Sequence, residues 1–253
     1  MSANHAAFNL IFRFVENYIS PIAGRISSQR HVMAIRDGFI SAMPFMIVGS
    51  FLLVFAYPPF SPDTTWGFAR AWLDLAKEFE GRILTPFDMT MGIMSIYICA
   101  AISYNLGKHY EKSNQLDPFM CAMLSIMAFL LIAAPKTNGT LPVDSLGGTG
   151  IFTAILVAIY CVEMMRFLKA HNIGIRLPDQ VPPMIKNSFD LLIPVLVVVL
   201  TLYPLSLFIQ HHFDMLIPQA IMAIFKPLVS AADSLPAILL AVLIGHLLWF
   251  AGI

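Results

Sequence analysis

The chain has 253 residues, of which 58% are apolar and only 12% charged. A soluble domain carries about 25% charged residues, so composition excludes a soluble globular protein, and a mean hydropathy of +0.77 agrees. The 15 basic and 15 acidic residues balance, and with no basic run to break that balance a nucleic-acid partner is excluded.

Residues 6–20 carry Phe8, Ile11, Phe12, Val15 and Ile19 at helical spacing, with Arg13, Glu16 and Asn17 on the other side. Arg13 and Glu16 interrupt the apolar pattern where a secretory signal peptide needs a clean core. The pattern predicts an amphipathic helix. Two readings stand: a helix lying on the membrane surface, or one packed on the end of a helix bundle. A polar junction, Ser27 to Gly38, then leads into a first apolar span at residues 39–57, closed by Pro58-Pro59. Pro44 lies inside that span, where neighbouring helices can satisfy the carbonyl it frees.

In residues 60–87, Trp66, Phe68, Trp72, Leu75 and Phe79 alternate with Arg70, Asp74, Lys77, Glu78 and Glu80. This predicts a second surface helix with aromatic anchors at headgroup level. A second span at residues 88–106 ends in a charged turn, Lys108 to Lys112, and a third runs over 118–134 to Pro135. A loop over 136–150 precedes the fourth span at 150–168. Pro178, Pro182 and Pro183 rule out a regular helix in the next segment, 174–189. The fifth span covers 189–209, and residues 212–230 form a moderately amphipathic stretch. The last apolar segment, Ser234 to Ile253, has no Asp, Glu, Lys or Arg and no polar flank after it. At about 1.5 Å per residue it is long enough to cross a bilayer core. The expectation is an all-α polytopic membrane protein with about six transmembrane helices plus interfacial amphipathic helices, and a chain that is incomplete.

With the N-terminus inside, the inner segments hold ten of the 15 Lys and Arg residues, among them Arg30, Arg36, Lys108, Lys112, Arg166 and Lys169. The outer ones hold Arg70, Lys77, Arg82, Lys136 and Lys226. The positive-inside rule therefore predicts a cytoplasmic N-terminus.

The spans hold little chemistry. Asp88, Glu163 and Arg166 fall near span ends, where side chains can snorkel, and Glu163 and Arg166 are spaced i, i+3 for a pair. No metalloprotease helix, nucleophile elbow or phosphate-binding glycine loop is present. Gly147-Gly148-Thr149-Gly150 lacks the preceding strand and the lysine of a phosphate loop. Cys99, Cys121 and Cys161 fall in separate spans and read as buried packing thiols. No catalytic residue, metal site or cofactor is predicted. His246 is the one imidazole well inside a span; it either lines a polar cavity or bonds a neighbouring helix. Trp249, three residues on, shares roughly that face. Its ring suits the C–H face of a sugar, and a core or lipid-belt position fits the spacing equally.

Three stretches change this balance. Gln29 to Phe39 (QRHVMAIRDGF), Leu177 to Pro183 (LPDQVPP) continuing through Asn187-Ser188-Phe189, and Leu247 to Ile253 (LLWFAGI) resemble enzyme IIC. This is the membrane component of the lactose/cellobiose/diacetylchitobiose family of the sugar phosphotransferase system. The resemblance covers the whole chain in order. It implies a bacterial inner-membrane, multi-pass permease for a β-linked disaccharide, usually a homodimer, embedded in membrane lipid. It implies a partner, enzyme IIB, whose phosphocysteine phosphorylates the sugar on arrival. The charged product cannot recross the hydrocarbon.

On this resemblance residues 1–38 are a cytoplasmic amphipathic segment and 39–210 a five-span scaffold and dimerisation domain. Residues 211–253 are then the truncated start of the sugar-binding domain, which moves against the scaffold. Family chains are longer, and in them the Trp-Phe-x-Gly-Ile motif is followed by a histidine of the sugar site. A glutamate further on completes that site. By match, Trp249 is a sugar-lining residue, and His246 joins it as a substrate-binding candidate. Ala251 stands where the family often has Phe. The 174–189 segment either meets enzyme IIB or is a structural turn. The alternative function is a truncated scaffold or dimerisation fragment without transport activity of its own. Which sugar is carried is not encoded in these residues.

Overall fold

The computed structural model describes residues 20–135, 139–175, 189–232 and 234–250, together with residues 17, 180, 182 and 185. The predicted helix at 6–20 and most of the proline-rich 174–189 segment lie outside the described residues. Among the described residues nine α-helices and one short 3-10 turn follow each other without a strand. They are α1 (Ser20–Ser27), α2 (Arg30–Ala56), α3 (Gly67–Asp88), α4 (Met94–Asn114) and α5 (Pro118–Ala133). Then come the turn at Gly148–Gly150, α6 (Ile151–Ala170), α7 (Leu192–Phe213), α8 (Ile217–Ala232) and α9 (Leu235–Phe250). The expected all-α membrane architecture is therefore present. Helix α2, the continuous helix Gly148–Ala170 and α7 are each long and apolar enough to cross a membrane, and α5 is a shorter apolar helix.

The chain divides into two compact units, one of residues 35–222 and one of the residues before 35 and after 222. In the first unit α4, α5 and α6 pack closely on one another, and α7 packs on α5 and α6. The core is built from Ile98, Ile102 and Leu106 of α4, Leu124, Phe129 and Ile132 of α5, and Val162 of α6, all essentially inaccessible. Between them sit small side chains: Ser103 and Cys99 on α4, Ser125 and Ala128 on α5, Ala154 and Ala158 on α6. Small residues let backbones approach where lipid removes any hydrophobic drive between helices. The hydroxyl of Ser103 stays within its own helix, donating to the Cys99 carbonyl at 2.7 Å. Cys99, Cys121 and Cys161 are free and buried, as expected of packing thiols.

Helix α7 divides its faces with four-residue spacing. Pro194, Val198, Leu202 and Ser206 are buried, while Leu192, Leu196 and Leu200 are exposed. In lipid an exposed leucine stripe is the solvated face, not a defect. Helix α2 lies antiparallel to α4. Phe45 stacks on Tyr97 at 4.3 Å, and a Cβ at Gly38 would collide with Ile102, whose backbone nitrogen lies 2.9 Å from that position.

Two local readings are corrected. The polar junction before the first span is helical from Arg30 onward, so α2 has 27 residues. At about 1.5 Å per residue it is roughly 40 Å long, more than a bilayer core. The charged Lys108–Lys112 stretch is not a turn but the last turns of α4. Lys and Glu are good helix formers, and Tyr110, only 2% exposed, anchors the segment against the bundle. The helix stops where Gln115 takes a left-handed conformation, φ 53°. Asp117 then caps α5, accepting from the amides of Phe119 at 2.8 Å and Met120 at 3.2 Å.

Candidate functional site

The antiparallel course of α2 against α4, and the parallel course of α4 and α6, bring Arg36, Lys108, Lys112, Arg166 and Lys169 to one end of the bundle. At that end Tyr110, on α4, donates to Glu163 Oε1 of α6 at 2.7 Å. Arg166 donates to Glu163 Oε2 at 2.8 Å and to the Tyr110 hydroxyl at 3.3 Å, and its guanidinium lies 4.7 Å from the Tyr110 ring centre. The i, i+3 pair expected from spacing is formed. Its third member, Tyr110, stands 53 residues before Glu163 in the chain, and no local pattern signals it.

One turn further along α6, the Lys169 ammonium donates to the Gln115 carbonyl at 2.7 Å and to Asp190 Oδ2 at 3.2 Å. It thereby ties the end of α6 to the α4–α5 corner and to the approach to α7. Next to this tie is a cavity of about 160 Å³ lined by Leu116, Met165, Lys169, Ile173, Asp190 and Pro194. Its charges already serve each other, so the cavity offers a mainly apolar wall. A wider polar groove, lined by Tyr104, Lys108, Glu111, Gln115 and Asp117 among others, runs along the α4–α5 corner.

The two substrate-binding candidates are on α9, which belongs to the other compact unit. His246 is exposed, and its Nδ1 lies 2.8 Å from the Val242 carbonyl one turn back on the same helix. Trp249 is in the last turn of α9, and its side chain lies outside the described residues, as does Ala251. Among the described residues no cluster of three His, Cys, Asp or Glu side chains is arranged to hold a metal ion.

Apolar helices packed through small residues, with charges gathered at the helix ends, define a multi-pass helical membrane protein. Comparison with known proteins makes the class specific. The family described as "Phosphotransferase system, EIIC" matches residues 36–253. The chain is 32% identical to the "PTS system cellobiose-specific EIIC component" of Geobacillus stearothermophilus, over 95% of this chain and 55% of that protein. It is 33% identical to the "PTS system lactose-specific EIICB component" of Streptococcus mutans serotype c, over 92% of this chain and 40% of that protein. Among solved structures it resembles the crystal structure of the transporter ChbC, the IIC component from the N,N'-diacetylchitobiose-specific phosphotransferase system. That likeness has a TM-score of 0.79 and 32% identity, over 95% of this chain and 57% of that one. The chain belongs to the phosphotransferase system EIIC family. It spans about half the length of the relatives it matches, 40% to 57% in these three.

Proposed function

We propose that this chain works in the membrane permease component of a phosphoenolpyruvate-dependent sugar phosphotransferase system. Its cargo is a β-linked disaccharide of the cellobiose, lactose or diacetylchitobiose class, delivered to enzyme IIB for phosphorylation. The single observation that carries the reading is the similarity along nearly the whole chain to components named for those sugars. Relatives named EIICB join a B component to the C component in their names, which supports a IIB partner for this chain. Residues 39–210 serve as scaffold and dimer contact, and residues 211–253 begin the sugar-binding part. The N-terminus faces the cytoplasm, so the basic end of the bundle faces enzyme IIB.

His246 and Trp249 line the sugar. The Trp249 ring stacks on a pyranose C–H face, a contact worth roughly 1 kcal/mol or more. The scaffold-fragment alternative has no observation in its favour.

The test starts from the gene in its host. Deletion should abolish phosphoenolpyruvate-dependent phosphorylation of at least one of the three disaccharides by cell membranes supplied with soluble cell extract that contains enzyme IIB and the proteins that pass it the phosphoryl group. Unchanged phosphorylation of all three would defeat the proposal. In the full-length gene product Trp249→Ala should weaken binding of the accepted sugar about fivefold or more, while Trp249→Phe retains most of it. Equal affinity in all three proteins would return Trp249 to the lipid belt or the core.

A further inference from the structure

Helix α2 ends at Ala56, and Tyr57-Pro58-Pro59 turns the chain toward α3 at the opposite end from the basic cluster. Helix α3 folds back against this end. The Trp72 indole nitrogen donates to the Phe55 carbonyl at 3.2 Å, and the Tyr57 hydroxyl donates to Glu80 Oε1 at 3.0 Å. Between the two helices opens a groove of about 540 Å³, lined chiefly by Tyr57, Pro58, Arg70, Asp74, Lys77 and Glu80. The buried Ala76 lies on the same lining.

Three features point to one kind of occupant. The first is unspent charge of both signs. Arg70 and Asp74 are spaced i, i+4 and Asp74 and Lys77 i, i+3, the distances at which helix pairs form. Among the described residues, however, none of the three makes an ion pair within 4.0 Å. The second is depth. Tyr57 directly follows a membrane-spanning helix, so the groove mouth stands at headgroup level. The third is the adjoining aromatic cluster. Trp72 packs edge-on to Phe60 and Phe68, each about 6 Å away between ring centres, and Trp66 and Phe68 are each 60% exposed. Exposed aromatic side chains beside a span are the groups that settle among lipid glycerols and headgroups.

A ligand matching this groove needs an anion for Arg70 and Lys77 and a hydrogen-bonding cation for Asp74 and the second oxygen of Glu80. It also needs a position at the membrane edge and an apolar tail to lie along the aromatic cluster. We propose that the α2–α3 corner is a binding site for a zwitterionic phospholipid headgroup carrying a primary amine, of the phosphatidylethanolamine kind. A quaternary amine cannot donate to the carboxylates, and a purely anionic headgroup leaves Asp74 and Glu80 opposed to negative charge. Binding there holds the corner that α2 and α3 make with each other and so steadies the end of the first span.

The test uses the full-length protein in lipid nanodiscs of three compositions. Phosphatidylethanolamine, phosphatidylcholine or phosphatidylglycerol is mixed in turn with an inert lipid, and the lipid retained on delipidation is measured by native mass spectrometry. Phosphatidylethanolamine should be retained about fivefold over phosphatidylcholine, the scale of one charge contact at a membrane surface. Asp74→Asn should erase that preference, and Arg70→Gln combined with Lys77→Gln should lower retention of phosphatidylethanolamine and phosphatidylglycerol alike. Equal retention of ethanolamine and choline lipids by the unaltered protein overturns the proposal without reference to any variant. So does a preference that survives Asp74→Asn. Displacement of the lipid by millimolar cellobiose, lactose or diacetylchitobiose, but not by soluble phosphoethanolamine, would assign the groove to sugar instead.

Discussion

The hydrogen that serves as a side chain at position 107 lets α4 and α5 touch. A Cβ there would stand 3.0 Å from Cys121 Sγ and 3.1 Å from Pro118 Cα. One neighbour is backbone at the first turn of α5, held by the Asp117 cap, so it yields only by moving the helix. Gly107→Ala should therefore lower stability by roughly 1–3 kcal/mol, the cost of overpacking, read as a fall in Tm in detergent. An unchanged or raised Tm would mean that the two helices separate freely. Tyr57 offers a test of a different kind. Its hydroxyl donates to Glu80, and that bond, helped by the nearby carboxylate charge, holds its pKa above the ordinary 10.0. Only the protonated phenol can donate. The group therefore stabilises the fold fully below pH 10 and loses that contribution as pH rises through the elevated folded value. Alkaline spectroscopic titration should show one component, absent in Tyr57→Phe, with a midpoint above the ordinary tyrosine value. A difference curve between the two proteins with its midpoint at or below the ordinary value would contradict the hydrogen bond.

Helices are joined at the basic end by ties that span long stretches of chain. Lys169 serves both the Gln115 carbonyl and Asp190, whereas altering Asp190 removes only its own contact with Lys169. Lys169→Met should thus destabilise more than Asp190→Asn. The exposed ion pair is worth about 1 kcal/mol at most, and the carbonyl bond adds to it. Hydrogen exchange should rise at the α4–α5 corner in Lys169→Met only; a rise in both variants would mean that Lys169 needs Asp190 to hold the Gln115 carbonyl. Elements of this kind mark the boundary of what was legible in the sequence. The apolar runs of α2, α5, α6, α7 and α9 announce themselves, because lipid requires length and apolarity and little else. The amphipathic α3 shows through its alternation of aromatic and charged residues. The end of α4 does not, because Lys108 to Lys112 reads as a charged turn unless Tyr110 is known to point inward. Glu163 and Arg166 could be paired from spacing, and their partner Tyr110 could not. His246 and Trp249 stood out only as a rare imidazole and a flat ring in an apolar span. The structure returns the His246 nitrogen to its own helix, and the rest of a sugar site has no local signature.

At the scale of the whole molecule the distribution of charge sets a direction across the membrane. Arg36, Lys108, Lys112, Arg166 and Lys169 share one end of the bundle because α2 opposes α4 while α6 runs parallel to it. Arg70 and Lys77 belong to the other end, where α2 closes. Separated in sequence, these cations were grouped only by assuming alternating spans, and the contacts of Phe45 with Tyr97 and of Tyr110 with Glu163 now supply the grouping directly. A more positive end favours the cytoplasm because translocating Lys and Arg is disfavoured during insertion. Cysteine labelling can read this direction, since Cys99, Cys121 and Cys161 are all buried and contribute little background. Glu78→Cys, on α3 but outside the groove lining, should react in the full-length protein with a membrane-impermeant maleimide in intact cells with the outer membrane opened. Lys112→Cys should react only in inverted vesicles. Both positions are exposed, so a failure of either to label in its expected preparation has no steric excuse, and the reverse pattern would turn the N-terminus outward. On the function proposed above, the same result decides the side on which enzyme IIB would act. If Lys112 faces the cytoplasm, the tie of Lys169 and the groove along the α4–α5 corner face it too, and a phosphocarrier docking there would meet a basic surface. A sugar phosphorylated on that side would be kept there by its charge.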